Sequence, residues 1–282
     1  MASSGTAVMA KSKKNQKQIV KKMAQLKTPS KESVTPPATS APLPVPVQTT
    51  WYHPGVSTTW QWQLAGTINP NYSVDVYDID LFDTSKEMIA QLKSSGKKVV
   101  CYFSAGSSED WRSDFTQLDA VSLGKPLDGW KGEKWLDIRT GNVVNFAISR
   151  LDLAVVKGCD GVEPDNVDGY ENKTGFSITR DDQLIFNRRI ATEAHKRGLA
   201  IALKNAVDLA SDLVHDFDLT INEQCHTYNE CDQLAVFTKQ GKPILNAEYK
   251  FTSKLCAESQ KRNIRTLILP KNLNDSSRKS CD

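Results

Sequence analysis

Carboxylates, a lysine and an aromatic hydroxyl recur where short apolar runs of this 282-residue chain end. VDVYDIDLF (74–82) carries Asp78 and Asp80, and KKVVCYFSAG (97–106) carries Tyr102 and Ser104. CDGVEPDNVDGY (159–170) brings Glu163 and Asp165, LAIALKN (199–205) brings Lys204 and Asn205, and FDLTINEQC (217–225) brings Glu223. KPILNAEY (242–249) adds Glu248, and TWQWQLAG (59–66) adds Gln61 and Gln63. Side chains two apart on a strand point the same way, so Asp78 with Asp80, and Glu163 with Asp165, can each face one cavity. Carboxylates gathered at one mouth repel unless something balances them. Some must therefore turn outward, cap a helix or pair with Lys204.

Three chemistries suit such a mouth. Metal-dependent hydrolysis asks for histidines near the carboxylates, but His53, His195, His215 and His226 lie away from the strand ends. An all-oxygen magnesium site is the remnant of that option, and no metal or other cofactor is expected. Schiff-base chemistry through Lys204 asks for an amine of depressed pKa, and surrounding carboxylates push an amine the other way. Glycoside hydrolysis needs two carboxyl groups flanking a glycosidic bond, one for the leaving oxygen and one for the anomeric carbon. Aromatic rings to stack on sugars are at hand in Trp60, Trp62, Tyr77, Tyr102, Trp111 and Trp135, about half of them expected in the core. This third chemistry fits the residues best.

The elements that must position these residues alternate along the chain. Strand-length apolar runs centred near residues 60, 77, 101, 162, 202, 221, 245 and 267 are separated by helix-length stretches. KEMIAQLKSSG (86–96) spaces Met88, Ile89 and Leu92 helically and stops at Gly96. GNVVNFAISRLDLAVVKG (141–158) sets Val143, Val144, Ala147, Ile148, Leu151 and Val155 on one face. A β-then-α rhythm sustained eight times predicts a (β/α)8 TIM barrel, with an insertion at 107–140 after the third strand. A doubly wound sheet would show a glycine-rich phosphate turn after its first strand, and WQWQLAGTINP has none.

Charge is unevenly spread. Residues 1–49 hold eight lysines against the single acid Glu32, no aromatic side chain, and six of the twelve prolines. That stretch predicts a disordered Lys-rich then Pro-rich tail, and residues 50–282 a single catalytic domain. The whole chain is at +3, so the domain alone is near −4, a poor footprint for nucleic acid. No apolar run is long enough to span a bilayer, and neither a signal peptide nor an anchor is visible. A monomer is the default expectation. Six dispersed cysteines do not predict a disulfide scaffold: Cys101 reads as a buried small hydrophobe, and Cys225 with Cys231 could close a short loop in an oxidising compartment.

Taken together, TTWQWQLAG, VYDIDLFD, KVVCYFSAGSSEDWRSD, KWLDIR, GVEPDNVDGY, LKN, NEQC and AEY resemble glycoside hydrolase family 114, the endo-α-1,4-polygalactosaminidases, over about residues 51–270. The resemblance implies a (β/α)8 barrel that cleaves within α-1,4-linked galactosamine chains, galactosaminogalactan among them, with retention of configuration. It implies Asp165 of EPDN as nucleophile and Glu223 of NEQC as acid/base, and an extracellular location. Asp78, Asp80, Tyr102, Glu163, Lys204, Asn205 and Glu248 are the expected substrate-binding residues. A mildly acidic domain suits a cationic galactosamine-containing polysaccharide. The competing reading is a barrel that binds amino-sugar polymer without cleaving it.

Overall fold

Alternate residues along the strands divide between two apolar clusters, and that division reveals the architecture. One cluster takes Trp60, Trp62, Val76, Val100, Ala202, Leu219, Ile221, Leu245, Ala247 and Leu267. The other takes their neighbours Tyr77, Ile79, Val99, Cys101, Phe103, Val162, Ile201 and Leu203, together with residues of the helices. The first is the inside of a barrel, filled by side chains from its first strand to its last. The second is the layer between barrel and helices.

The computed structural model describes residues 50–282, so the expectation of a disordered tail falls outside the described residues. In chain order the elements are β1 (Trp60–Gln63), β2 (Val76–Asp80), α1 (Lys86–Ser94), β3 (Lys98–Ser104), β4 (Ser107–Glu109), β5 (Leu123–Pro126), β6 (Glu133–Leu136) and α2 (Gly141–Lys157). There follow β7 (Gly161–Asp165), α3 (Arg180–Lys196), β8 (Ala200–Lys204), α4 (Ala210–Leu213), β9 (Leu219–Glu223), α5 (Cys225–Tyr228) and α6 (Cys231–Lys239). The last are β10 (Ile244–Glu248), α7 (Leu255–Lys261), β11 (Ile264–Ile268) and β12 (Lys279–Ser280). The main sheet runs β1-β2-β3-β7-β8-β9-β10-β11-β12, all parallel except the last pair. Every predicted barrel strand is present.

The sheet closes through side chains and the C-terminal segment. Trp60 Nε1 donates to the carbonyl of Arg265 on β11 at 2.9 Å. Arg278 donates to Gln61 Oε1 at 2.6 Å and to the Trp60 carbonyl at 2.9 Å. The insertion folds as a separate antiparallel sheet, β4-β6-β5, over the strand exits. Helix starts follow local chemistry: Thr140 accepts from Val143 N at the head of α2, and Thr179 and Asp182 form a reciprocal capping box at α3. No helix among the described residues is long and apolar enough to cross a membrane.

The cysteines correct the sequence reading. All six are paired, as Cys101–Cys159, Cys225–Cys231 and Cys256–Cys281. Cys101 is buried as expected, but its sulfur is bonded. Dispersion in sequence misled because the insertion and α2 separate β3 from β7, which are neighbours in the sheet with Cys101 opposite Val162. Closing a span of 58 residues restricts the unfolded chain by about 4 kcal/mol in the loop-entropy description. The double variant Cys101→Ala/Cys159→Ala is expected to lose roughly that much unfolding free energy in urea. A loss under ~1 kcal/mol would deny the bridge that role.

Candidate active site

Parity along the barrel strands decides which polar side chains enter the mouth. Asp78 and Asp80 share a face with inward-pointing Val76, Tyr102 with Val100, Lys204 with Ala202, and Glu223 with Ile221. Lys204 is the centre of the group. Its ammonium, with the side chain 1% exposed, lies 2.8 Å from Glu163 Oε1, 3.8 Å from Asp165 Oδ1 and 3.6 Å from Glu223 Oε2. It also sits over the rings of Trp62 and Tyr102, at 4.7 and 5.4 Å. Burial pulls this amine's pKa down, but Asp165, Glu163 and Glu223 outweigh burial and hold it well above its ordinary value. The lysine is therefore a fixed cation and not a nucleophile.

The carboxylates around it are not equivalent. Glu163 is fully buried, with Lys204 on Oε1 and the Trp62 indole N–H on Oε2 at 3.2 Å. Burial, opposed by Lys204 and reinforced by Asp165, pushes its pKa up to about 7. Asp165 and Glu223 are reachable, with side chains 20% and 30% exposed. Their two oxygens that face Lys204 cannot be further apart than the sum of the distances to it, 7.4 Å. Each carboxylate has its own phenol: Tyr102 donates to Asp165 Oδ2 at 3.0 Å, and Tyr249 donates to Glu223 Oε1. Burial first, then these acids, raise the pKa of both tyrosines, so both remain donors.

Backbone geometry sets the aim of these side chains. Asn166, Asn205 and Gln224, which follow Asp165, Lys204 and Glu223, all have positive φ, at 60°, 47° and 65°. The chain thus turns sharply right after each charged residue, at some conformational cost. Ala105 N and Gly106 N both donate to the Asp165 carbonyl, at 2.9 and 3.2 Å. A Cβ on Gly106 would lie 1.8 Å from the Asn166 carbonyl oxygen, so only glycine permits this approach.

Three of the expected substrate-binding residues have protein partners of their own. Glu248 points out of the barrel, on the face of β10 opposite Leu245 and Ala247, and accepts from His226 N at 2.9 Å and Thr227 Oγ1 at 2.7 Å. It caps α5, while its neighbour Tyr249 enters the site. Asn205 uses Oδ1 to accept from Glu223 N at 2.8 Å and so positions the acid. Asp80 is held by both guanidinium nitrogens of Arg112, at 2.6 and 3.2 Å, and caps the turn at Phe82 and Asp83.

Sequence reasoning missed Tyr249, Arg112 and a network from the insertion. Arg112 also pairs with Glu109, whose other oxygen meets Arg150 at 2.9 Å. Glu133 accepts from Ser107 at 2.7 Å, and Ser107 in turn meets Asn166 at 3.1 Å. Burial raises Glu133 to about 7 despite the Ser107 hydrogen bond. Asp168 is partly buried, and its desolvation first and Asp165 next raise it to about 6. The aromatic candidates split: Trp60, Trp62, Tyr77 and Trp135 are core, while Trp111 is 54% exposed. The grouping Cys225, His226 and Cys231 has metal-ligand chemistry, but its two sulfurs are bonded to each other and offer no thiolate.

The family model for glycoside hydrolase family GH114 matches residues 41–282. Among solved structures the chain is similar to Aspergillus fumigatus Ega3 in complex with galactosamine, at 41% identity and a TM-score of 0.79, over 83% of this chain and 98% of that one. It shares its fold with the glycoside hydrolase domain of PelA from Pseudomonas aeruginosa, at 13% identity and TM-score 0.61, over 78% and 97% of the two chains. The same holds for TtGalA, an alpha-galactosidase from Thermus thermophilus, at 9% identity and TM-score 0.53, over 81% and 60%. No curated protein matches the chain.

Lys204 balances the site only while it carries charge. Lys204→Met leaves Glu163 buried without its cation and is expected to cost about 3 kcal/mol of stability. Adding Glu163→Gln should recover at least ~1 kcal/mol, read by urea unfolding of both singles and the double. Simple additivity of the two changes would contradict a coupled pair.

Proposed function

This chain belongs to glycoside hydrolase family GH114 and is a glycoside hydrolase, and from that premise we propose that it is an endo-acting, retaining enzyme for α-1,4-linked galactosamine polymers. In this reading Asp165 is the nucleophile and Glu223 the acid/base. One observation carries the assignment: of the carboxylates around Lys204, Asp165 and Glu223 are only partly buried and are not locked at contact distance into an ion pair. Glu163 and Asp78 are fully buried, and Asp80 belongs to Arg112.

The chemistry then follows from position. Asp165 attacks the anomeric carbon while the glycosidic C–O bond breaks and Glu223 gives its proton to the leaving oxygen. Glu223 next takes a proton from water, whose oxygen displaces Asp165 from the glycosyl ester. Tyr102 and Asn166 N, which donate to the two oxygens of Asp165, fix the carboxylate for attack. Lys204 lies between the two acids and offsets charge as it moves from one to the other. A retaining pair requires a separation of about 5–5.5 Å. The 7.4 Å bound set by Lys204 admits that spacing and only the lower end of the ~6.5–9.5 Å range of an inverting pair.

Substrate charge agrees with the setting. The arginines near the mouth are committed to Asp80, Glu109 and Asp114, so the accessible groups are mainly carboxylates. Such a mouth attracts the ammonium groups of deacetylated galactosamine. The similar Ega3 holds galactosamine in its structure, which supports an amino-sugar substrate. Three disulfides suit an oxidising, extracytosolic location, where such a polymer would be met.

Partly deacetylated α-1,4-galactosaminan, with released oligomers followed by mass spectrometry, tests this function. Wild type is expected to release short oligomers, and Asp165→Asn and Glu223→Gln each to lose at least ~10³ in rate. Binding without release by wild type would instead make the barrel a polymer-binding protein.

A further inference from the structure

The reaction as proposed leaves one carboxyl group of the site unused. Asp78 is fully buried, and neither of its oxygens receives a hydrogen bond. What it does face is Glu163, whose own oxygens are both occupied, Oε1 by Lys204 and Oε2 by the Trp62 indole. A bare carboxylate in that place would be shielded from solvent, lack donors and confront a second carboxylate, an arrangement that strongly disfavours its charged form. One ammonium cannot compensate Asp78, Glu163, Asp165 and Glu223 together.

We propose that Asp78 is a neutral carboxylic acid that donates its O–H to the Glu163 carboxylate, and that this hydrogen bond fixes Glu163 so that it holds Lys204 between Asp165 and Glu223. Asp78 is thus a positioning residue acting through Glu163 and Lys204, and its role in turnover rests on the function proposed above. Among the described residues Glu163 has donors from Lys204 and Trp62, and Asp78 adds one from the β2 side. The proton belongs on Asp78 because Glu163 already takes two donors that favour its ionised form. Burial, with Glu163 next, raises the Asp78 pKa well above its ordinary value, in agreement with the geometry. The charged and titratable groups facing it are Glu163 from β7, Lys204 from β8 and Asp80 from its own strand, with Tyr102 of β3 beyond Glu163.

Replacing Asp78 by an amide keeps a donor and cannot ionise, whereas alanine removes the donor. Asp78→Asn should retain kcat within ~3-fold of wild type on galactosaminan, and Asp78→Ala should fall at least ~10-fold further with less change in KM. Stability gives a readout independent of turnover. A carboxyl group whose pKa is raised on folding makes stability fall as pH climbs above about 4, the unfolded value, towards the folded value. The thermal midpoint of Asp78→Asn should therefore gain on wild type as pH rises from 4 to about 8, and at the top of that range, where Glu133, Glu163 and Asp168 are mostly ionised, the wild-type infrared band of a protonated carboxyl should be diminished in it. An Asn variant as impaired as Ala, or one with the wild-type pH dependence of melting and the band intact, would overturn the proposal. Failure of wild type to cleave the polymer would instead refute the function, leaving the melting and infrared results readable.

Discussion

A single buried ammonium holds this candidate active site together. Lys204 is enclosed by the barrel, yet three carboxylates from β7 and β9 converge on it and two aromatic rings line its sides. Without it, acids gathered at the strand ends would drive one another neutral or apart. With it, one acid is locked as its ion-pair partner and two remain accessible in the mouth. The division of labour among chemically similar carboxylates follows from burial and from distance to one nitrogen.

Keeping that cluster in register falls to groups outside the barrel. Gly106 lets the β3 exit lie against Asn166 and clamp the Asp165 carbonyl, and the turns after Asp165, Lys204 and Glu223 aim each side chain. The insertion then ties the exits together. Arg112 reaches Asp80 on β2, and Arg150 of α2 meets both Glu109 of β4 and the Ser104 carbonyl of β3. Asp80 is thereby tied to the insertion as part of the frame.

The eight barrel strands, and Glu163, Asp165, Lys204 and Glu223 at their ends, were legible because polar residues ending apolar runs stand out. The choice between Glu248 and Tyr249 was not. Both faces of a barrel strand are buried, so ILNAEY shows no clean alternation to reveal which side is inward. The partners of Cys101 and Asp80 lie far off in sequence and meet them only once the strands are ordered, so no spacing rule could find them. Asp78 was found, but its distinction from the other acids depends on the absence of donors around it, a property of packing alone.

Everything about the accessible pair comes down to whether Asp165 bonds covalently to the sugar while Glu223 exchanges the proton. Proton NMR of the reducing end formed in the earliest turnovers, before mutarotation, reads this directly. Two displacements at the anomeric carbon must release the α anomer first. First-formed β anomer would mean that water attacks in a single step, and that Asp165 is not the nucleophile.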